Sequence, residues 1–169
     1  CMGDVVEFCA YYSDTESFWA PEIVMGEEMP LPDGSGVCYE NSIILSGFET
    51  DIVLEDLSDL NGICMNLVHS YIGDLTISLE CPNGQSVHLQ QQQGGGTDLG
   101  EPSLIIGTPG VGYWYCITPS ATETMGQVAG GLGSTSLPAG DYASFQPLTN
   151  LIGCPLNGEW TLTICDNWA

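Results

Sequence analysis

Apolar and polar residues alternate along most of this chain with the period of a β-strand. In Leu75-Thr-Ile-Ser-Leu-Glu80, Leu75, Ile77 and Leu79 share one face and Thr76, Ser78 and Glu80 the other. Trp160-Thr-Leu-Thr-Ile-Cys165 repeats the pattern, with Trp160, Leu162 and Ile164 facing inward. Ile63 to His69 and Ser86 to Gln90 read as two further strands, and Asp4–Phe8, Ile43–Leu45 and Asp51–Leu54 as weaker ones. Pro82-Asn-Gly84 is a hairpin signal, because Asn-Gly supplies the positive φ angles of a tight turn. Leu156-Asn-Gly158 punctuates the chain similarly. No long helical period is present; Val53 to Leu60 is expected to hold at most one helical turn. Gly94–Gly96 and Gly130–Gly133 read as loops. Many short strands separated by Gly and Pro turns predict an all-β sandwich or jelly roll.

The 169 residues suit one domain with a sizeable core. A seam at Pro30–Gly36 divides an N-terminal strand-containing segment, 1–36, from the main domain, 37–169. No apolar run approaches the roughly 18 residues of a membrane span, so no membrane insertion is expected. No secretory signal peptide is visible in the sequence.

Charge narrows the function classes. There is no Lys and no Arg, against 22 Asp plus Glu, a formal net charge of −22. Nucleic-acid binding and attraction to anionic membranes both need cations and are excluded. Stability has to come from apolar burial, backbone ladders and disulfides, with screening by cations easing the self-repulsion. A chain without Lys or Arg also resists trypsin-like cleavage.

Eight cysteines are spread over the chain, with no C-x-x-C pair and only two His. Zinc and redox motifs therefore fit poorly, and disulfides in an oxidising, secreted or cell-surface setting fit well. Cys81 and Cys154 each precede a proline at a strand-to-turn corner and form the best single pair. Cys1, Cys9, Cys38, Cys64, Cys116 and Cys165 remain unassigned by spacing.

Two stretches carry a family resemblance. One runs from His69 through Gly73-Asp74-Leu75, Pro82-Asn-Gly84, Val87 and Leu89 to the Gly-rich loop Gly94–Leu99. The other is Asn157-Gly-Glu-Trp-Thr-Leu162 with Asp166-Asn167. Together they resemble the P domain, the β-jelly roll found beside the catalytic domain of proprotein convertases. The resemblance covers roughly residues 39 to 169 and is weak from Gly107 to Pro147. Cys81-Pro-Asn-Gly84 and Gly153-Cys-Pro-Leu-Asn-Gly158 look most like the Cys-containing copies in large secreted surface proteins of Bacteroidota-type bacteria.

The resemblance implies a jelly-roll-like β-sandwich with no chemistry of its own. In the family a further strand follows the Asp-Asn; here only Trp168 and Ala169 do. Its place is expected to be taken by another segment or by a strand of a neighbouring copy, with Asp4–Phe8 as the candidate donor. The leading expectation is a non-catalytic structural or adhesive extracellular module, associating with itself or with neighbouring copies. The alternatives are an accessory P domain of a secreted subtilisin-like protease and a carbohydrate-binding module. Cys1 as the acylated first residue of a lipoprotein ranks lower, since it leaves an odd number of thiols.

Candidate sites divide unevenly between functional and structural roles. His69 lacks a nearby Ser or Cys nucleophile elbow and no second activating group is placed by the sequence, so a structural role bonding the Gly73–Asp74 turn outweighs a catalytic one. Trp160 is read as core. Carboxylate pairs for glycoside cleavage are expected by chance alone among so many acids. Calcium is the more serious option, because acids beside Gly-rich backbone supply the oxygens it takes. Asp74, Asp98, Glu101 and Asp166 are the candidate ligands, with the Asp51, Glu55, Asp56 and Asp59 cluster behind them. Tyr113-Trp-Tyr115 and Trp19 are weighed as sugar-stacking platforms against core packing, which is favoured for strand-borne aromatics.

Overall fold

The computed structural model describes residues 8–11 (by backbone), 31, 38–105, 108–133 and 135–168. Eight strands are present there: β1 (Phe8–Tyr11), β2 (Tyr39–Leu45), β3 (Gly62–Leu67), β4 (Leu75–Glu80), β5 (Ser86–Gln91), β6 (Tyr113–Ile117), β7 (Gly140–Tyr142) and β8 (Gly158–Asp166). They form two four-stranded sheets, in the orders β1-β3-β6-β7 and β2-β8-β4-β5. All neighbours are antiparallel except β6 and β7. The chain is an all-β sandwich.

The alternation read from the sequence builds the core. Leu75, Ile77 and Leu79 of β4 and Trp160, Leu162 and Ile164 of β8 are buried on one sheet. Ile63, Met65 and Leu67 of β3 and Tyr115 and Ile117 of β6 are buried on the other, and all belong to a single apolar cluster. Each fully buried aliphatic side chain contributes roughly 1.5–3 kcal/mol. The Pro82–Gly84 turn joins β4 to β5, with Gly84 at φ 85° donating its N–H to the Cys81 carbonyl at 2.8 Å. The open edge of β5 is blunted: Phe145 and Gln146 donate their N–H groups to Leu89 and His88, and the Gln146 side chain accepts from the His88 N–H.

Several sequence expectations are corrected. Asp51–Leu54 is not a strand; Asp51 takes φ 70°, which breaks an extended path, and only Val53 forms a bridge, to Pro155. The turn expected in Val53–Leu60 is a single 3-10 turn, Leu57–Asp59, capped by Asp56 accepting from the Ser58 N–H. A short helix, α1 (Met125–Gly130), was not foreseen. It is too short for a periodic signal, but Thr124 and Gln127 form a reciprocal capping box at its start. At Gly126 an added Cβ would meet the Gln93 Cβ at 2.4 Å, so only glycine permits this helix to lie against the chain after β5.

The largest correction concerns the expected donated strand. β8 is not an edge: β2 pairs with it from Tyr39↔Ile164 to Leu45↔Gly158, and β4 pairs with it on the other side. A strand from a neighbouring copy therefore has no open position beside Trp160–Cys165. Of the candidate donor Asp4–Phe8, residues 4–7 lie outside the described residues, and Phe8 opens β1, which pairs with β3 in the opposite sheet. Leu31, also from the N-terminal segment, is buried in the main core.

Candidate functional site

The most chemically loaded place in the fold is where the end of β3 meets the end of β8. Beyond β3 the chain leaves its β6 partner, and His69 forms an isolated bridge with Leu99, N–H to carbonyl at 3.0 and 2.7 Å. The adjacent Gly73–Asp74 turn follows from Tyr71, at φ 66°, and its N–H groups reach the Gly-rich loop: Ile72 donates to Thr97 and Gly73 to Gly95. Asp166 closes β8 opposite Leu75. This places His69 Nε2 3.2 Å from Asp166 Oδ2, with both residues 5% exposed. Asp166 Oδ1 accepts the Trp168 N–H, and His69 Nδ1 is shielded without a partner among the described residues.

His69 thus bonds Asp166 rather than the Gly73–Asp74 turn expected from the sequence. That turn is held by Asn167, whose backbone N–H and side-chain amide both donate to the Asp74 carbonyl, at 3.0 and 2.9 Å. The other histidine, His88, has its Nδ1 buried without a partner among the described residues. Trp160 is buried, and its Nε1 is likewise shielded.

The calcium candidates are not assembled into one site. Asp74 and Asp166 lie close through the β4–β8 register, but both Asp166 oxygens are engaged as above. Glu101 accepts the Tyr113 hydroxyl at 2.6 Å, and Asp98 takes the Leu137 N–H on its backbone carbonyl. Among the described residues no three His, Cys, Asp or Glu side chains converge on a metal-holding position. A shallow groove of about 470 Å³ is lined by Thr50, Asp51, Ile52, Val53, Pro155 and Asn157. It presents one carboxyl group and no partner for acid/base work.

The aromatic triplet of β6 splits by strand parity. Tyr115 is fully buried, accepting the Gly100 N–H at 2.8 Å and donating to the Leu137 carbonyl at 3.0 Å. Trp114 points to the outer face, 38% exposed, opposite Asn66. Trp19 lies outside the described residues.

Burial pushes the Tyr115 phenol up to about 12, and burial also raises Tyr39 and Tyr142. Tyr113 is raised by its hydrogen bond to Glu101. A phenol whose folded pKa lies above its free value near 10 stabilises the fold fully below that value and loses the contribution as pH climbs through the folded pKa. Urea unfolding midpoints are therefore expected to hold steady up to about pH 10 and then fall toward about pH 12. Tyr115 alone contributes on the order of 2 kcal/mol to that loss. In Tyr115→Phe the alkaline fall is expected to be visibly shallower; an unchanged profile would remove Tyr115 as its source.

Three disulfides stand among the described residues: Cys38–Cys165, Cys64–Cys116 and Cys81–Cys154. Cys81 and Cys154, the two cysteines set before prolines, are buried and have Cα atoms 5.9 Å apart. Cys1 lies outside the described residues, and Cys9 falls in β1.

A proprotein convertase P-domain family model matches residues 62–103. The matched span runs from β3 through the Gly73–Asp74 turn, β4 and β5 to Ser103, and so contains the first of the two sequence signatures. The P-domain is a non-catalytic accessory family. The second signature, Asn157–Asn167, lies outside the matched span but packs on it, since β8 hydrogen-bonds to β4 along its length. No curated protein and no solved structure matches the chain. The disulfides fit an extracellular, oxidising setting. No helix among the described residues is long and apolar enough to cross a membrane.

Proposed function

We propose that this chain is a non-catalytic extracellular module that acts as a structural or adhesive unit, a repeat of a bacterial surface protein or filament. The observation that carries the reading is the fate of His69 and Asp166. They form the one His–carboxylate pair among the described residues, and it lies inside the sandwich with both members 5% exposed. No substrate reaches such a pair. The P-domain match over 62–103 supports a supporting role rather than a chemical one. Three disulfides and the absence of any Lys or Arg suit a protein exposed to proteases outside the cell. The Cys-Pro strings at Cys81 and Cys154 favour the secreted surface proteins of Bacteroidota-type bacteria over the convertases. Neighbouring copies are the partners this reading implies.

One observation favours a second reading, carbohydrate binding. Trp114 offers its ring on the outer face beside Asn66, an aromatic surface with an amide next to it.

The reading is tested by deleting residues 31–168 from the parent protein in the producing cell. Adhesion or surface assembly is expected to fall while secreted proteolytic activity is unchanged. Loss of proteolysis instead would overturn it in favour of a protease accessory domain. Saturable glycan binding by the purified chain, abolished in Trp114→Ala, would favour the second reading.

A further inference from the structure

The two edges of the β2-β8-β4-β5 sheet end differently. On β5 the N–H groups of Phe145 and Gln146 occupy the carbonyls of Leu89 and His88. Along β2 nothing comparable lies among the described residues. β2 is also the kind of edge that takes a further strand. Its 7 residues, Tyr39–Leu45, pair with β8 in an uninterrupted register, without a proline or a bulge to blunt them.

The register decides which backbone groups face outward. Tyr39↔Ile164 sets Cys38 opposite Cys165, and their Cα atoms are 4.3 Å apart, the narrow spacing of a non-hydrogen-bonded antiparallel pair. Such pairs recur at every second residue, so Glu40↔Thr163, Ser42↔Thr161 and Ile44↔Glu159 are of the same kind. A strand residue sends its N–H and C=O to the same side. Glu40, Ser42 and Ile44 therefore turn theirs away from β8, and none of these backbone groups has a partner among the described residues. The side chains of the three fall on the outer face, since Tyr39 and Ile43 between them are buried in the core. Glu40 and Ile44 are exposed there, Ile44 by 71%, and exposed Glu159 stands opposite Ile44. An unpaired backbone ladder, two carboxylates and an uncovered aliphatic side chain thus share one edge.

Charge selects the occupant. A second copy of this chain would set one formal −22 against another, with no Lys or Arg on either side. We propose that the β2 edge is a strand-addition site for an extended basic segment of another protein, in which Lys or Arg alternates with apolar residues. Its backbone pairs with Glu40, Ser42 and Ile44. Its outward residues carry the cations beside Glu40, with Glu159 one strand further in, and their aliphatic stems cover Ile44. Its inward residues are apolar and extend the core past Tyr39 and Ile43. This assignment goes beyond the structural or adhesive reading and does not depend on it.

The test uses the full chain and a short peptide of alternating lysine and valine, blocked at both ends and matched in length to β2. Fluorescence anisotropy of the labelled peptide at low salt is expected to show saturable binding. Hydrogen exchange followed by NMR is expected to find the Glu40, Ser42 and Ile44 amides unprotected in the free chain and protected with peptide. Ser42→Pro removes one outward N–H and sets its ring in the path of the peptide, without changing charge or breaking a bond to β8. It is expected to weaken binding about tenfold or more, whereas Ser42→Ala, which loses only the hydroxyl bonded to Thr161, binds as the parent does. Equal binding by a folded Ser42→Pro would reveal charge attraction alone and overturn the proposal. If Ser42→Pro does not fold, the parent's amides decide, and their failure to gain protection with peptide overturns it. Protection already present in the free chain, or appearing in a concentration-dependent dimer without peptide, overturns it as well, by giving the edge to a segment of this chain or to a second copy.

Discussion

His69→Ala is expected to cost about 1–3 kcal/mol, the usual consequence of leaving a buried polar group without its hydrogen-bond partner. The substitution leaves Asp166 inside the sandwich, 5% exposed, with Oδ2 deprived of its donor. In other proteins a lysine or arginine can swing in to hydrogen-bond such a carboxyl group. This chain has neither. For a domain of this size the loss corresponds to a fall of about 2–12 °C in the thermal midpoint. The double variant His69→Leu/Asp166→Leu is expected to recover much of it, because removing both polar groups leaves no buried hydrogen-bonding group without a partner. Differential scanning calorimetry of the two variants beside the parent decides the matter. A loss below about 0.5 kcal/mol in His69→Ala would mean that the pair holds nothing together.

Reduction of the disulfides is the second large effect. A native bridge typically contributes about 2–4 kcal/mol, more as the closed loop lengthens. The three described bridges then sum to about 6–12 kcal/mol, comparable with the whole net stability of about 5–15 kcal/mol of a typical domain. Complete reduction by a phosphine is expected to abolish the cooperative melt at neutral pH. Among single removals, Cys38→Ser/Cys165→Ser is expected to be the most damaging and Cys64→Ser/Cys116→Ser the least. The sequence separations are 127 for Cys38–Cys165, 73 for Cys81–Cys154 and 52 for Cys64–Cys116. The first of these pins β2 to the end of β8 and so secures the strand that covers β8. Urea titrations followed by circular dichroism rank the three. A reduced chain that still melts cooperatively near its oxidised midpoint would contradict the prediction.

The strands were legible where one face is buried and the other wet. Leu75–Glu80 and Trp160–Cys165 alternate so cleanly that their inward residues are those found in the core. Asp51–Leu54 misled for a local reason: its composition suits a strand, but Asp51 adopts a left-handed conformation. Helix α1 was missed because six residues cannot display a helical period; the Thr124–Gln127 capping box was the available signal. The role of His69 was half visible. Its lack of a nucleophile elbow argued for structure, but its partner lies 97 residues away in sequence.

The sequence alone determined the class of the fold, the faces of its main strands, its hairpin turn, and the absence of any cation to bind nucleic acid. These follow from local periodicity, turn chemistry and composition, all of which act within a few residues. Only the tertiary structure decided which strand lies beside which. It set β8 between β2 and β4, joined Cys38 to Cys165, brought His69 to Asp166, and lined up Cys9, Cys64 and Cys116 across three strands. Alternation says which way a side chain faces, but every strand of a sandwich alternates alike. The choice of neighbour rests on contacts between distant segments, and those exist only once the two sheets have closed on a common core.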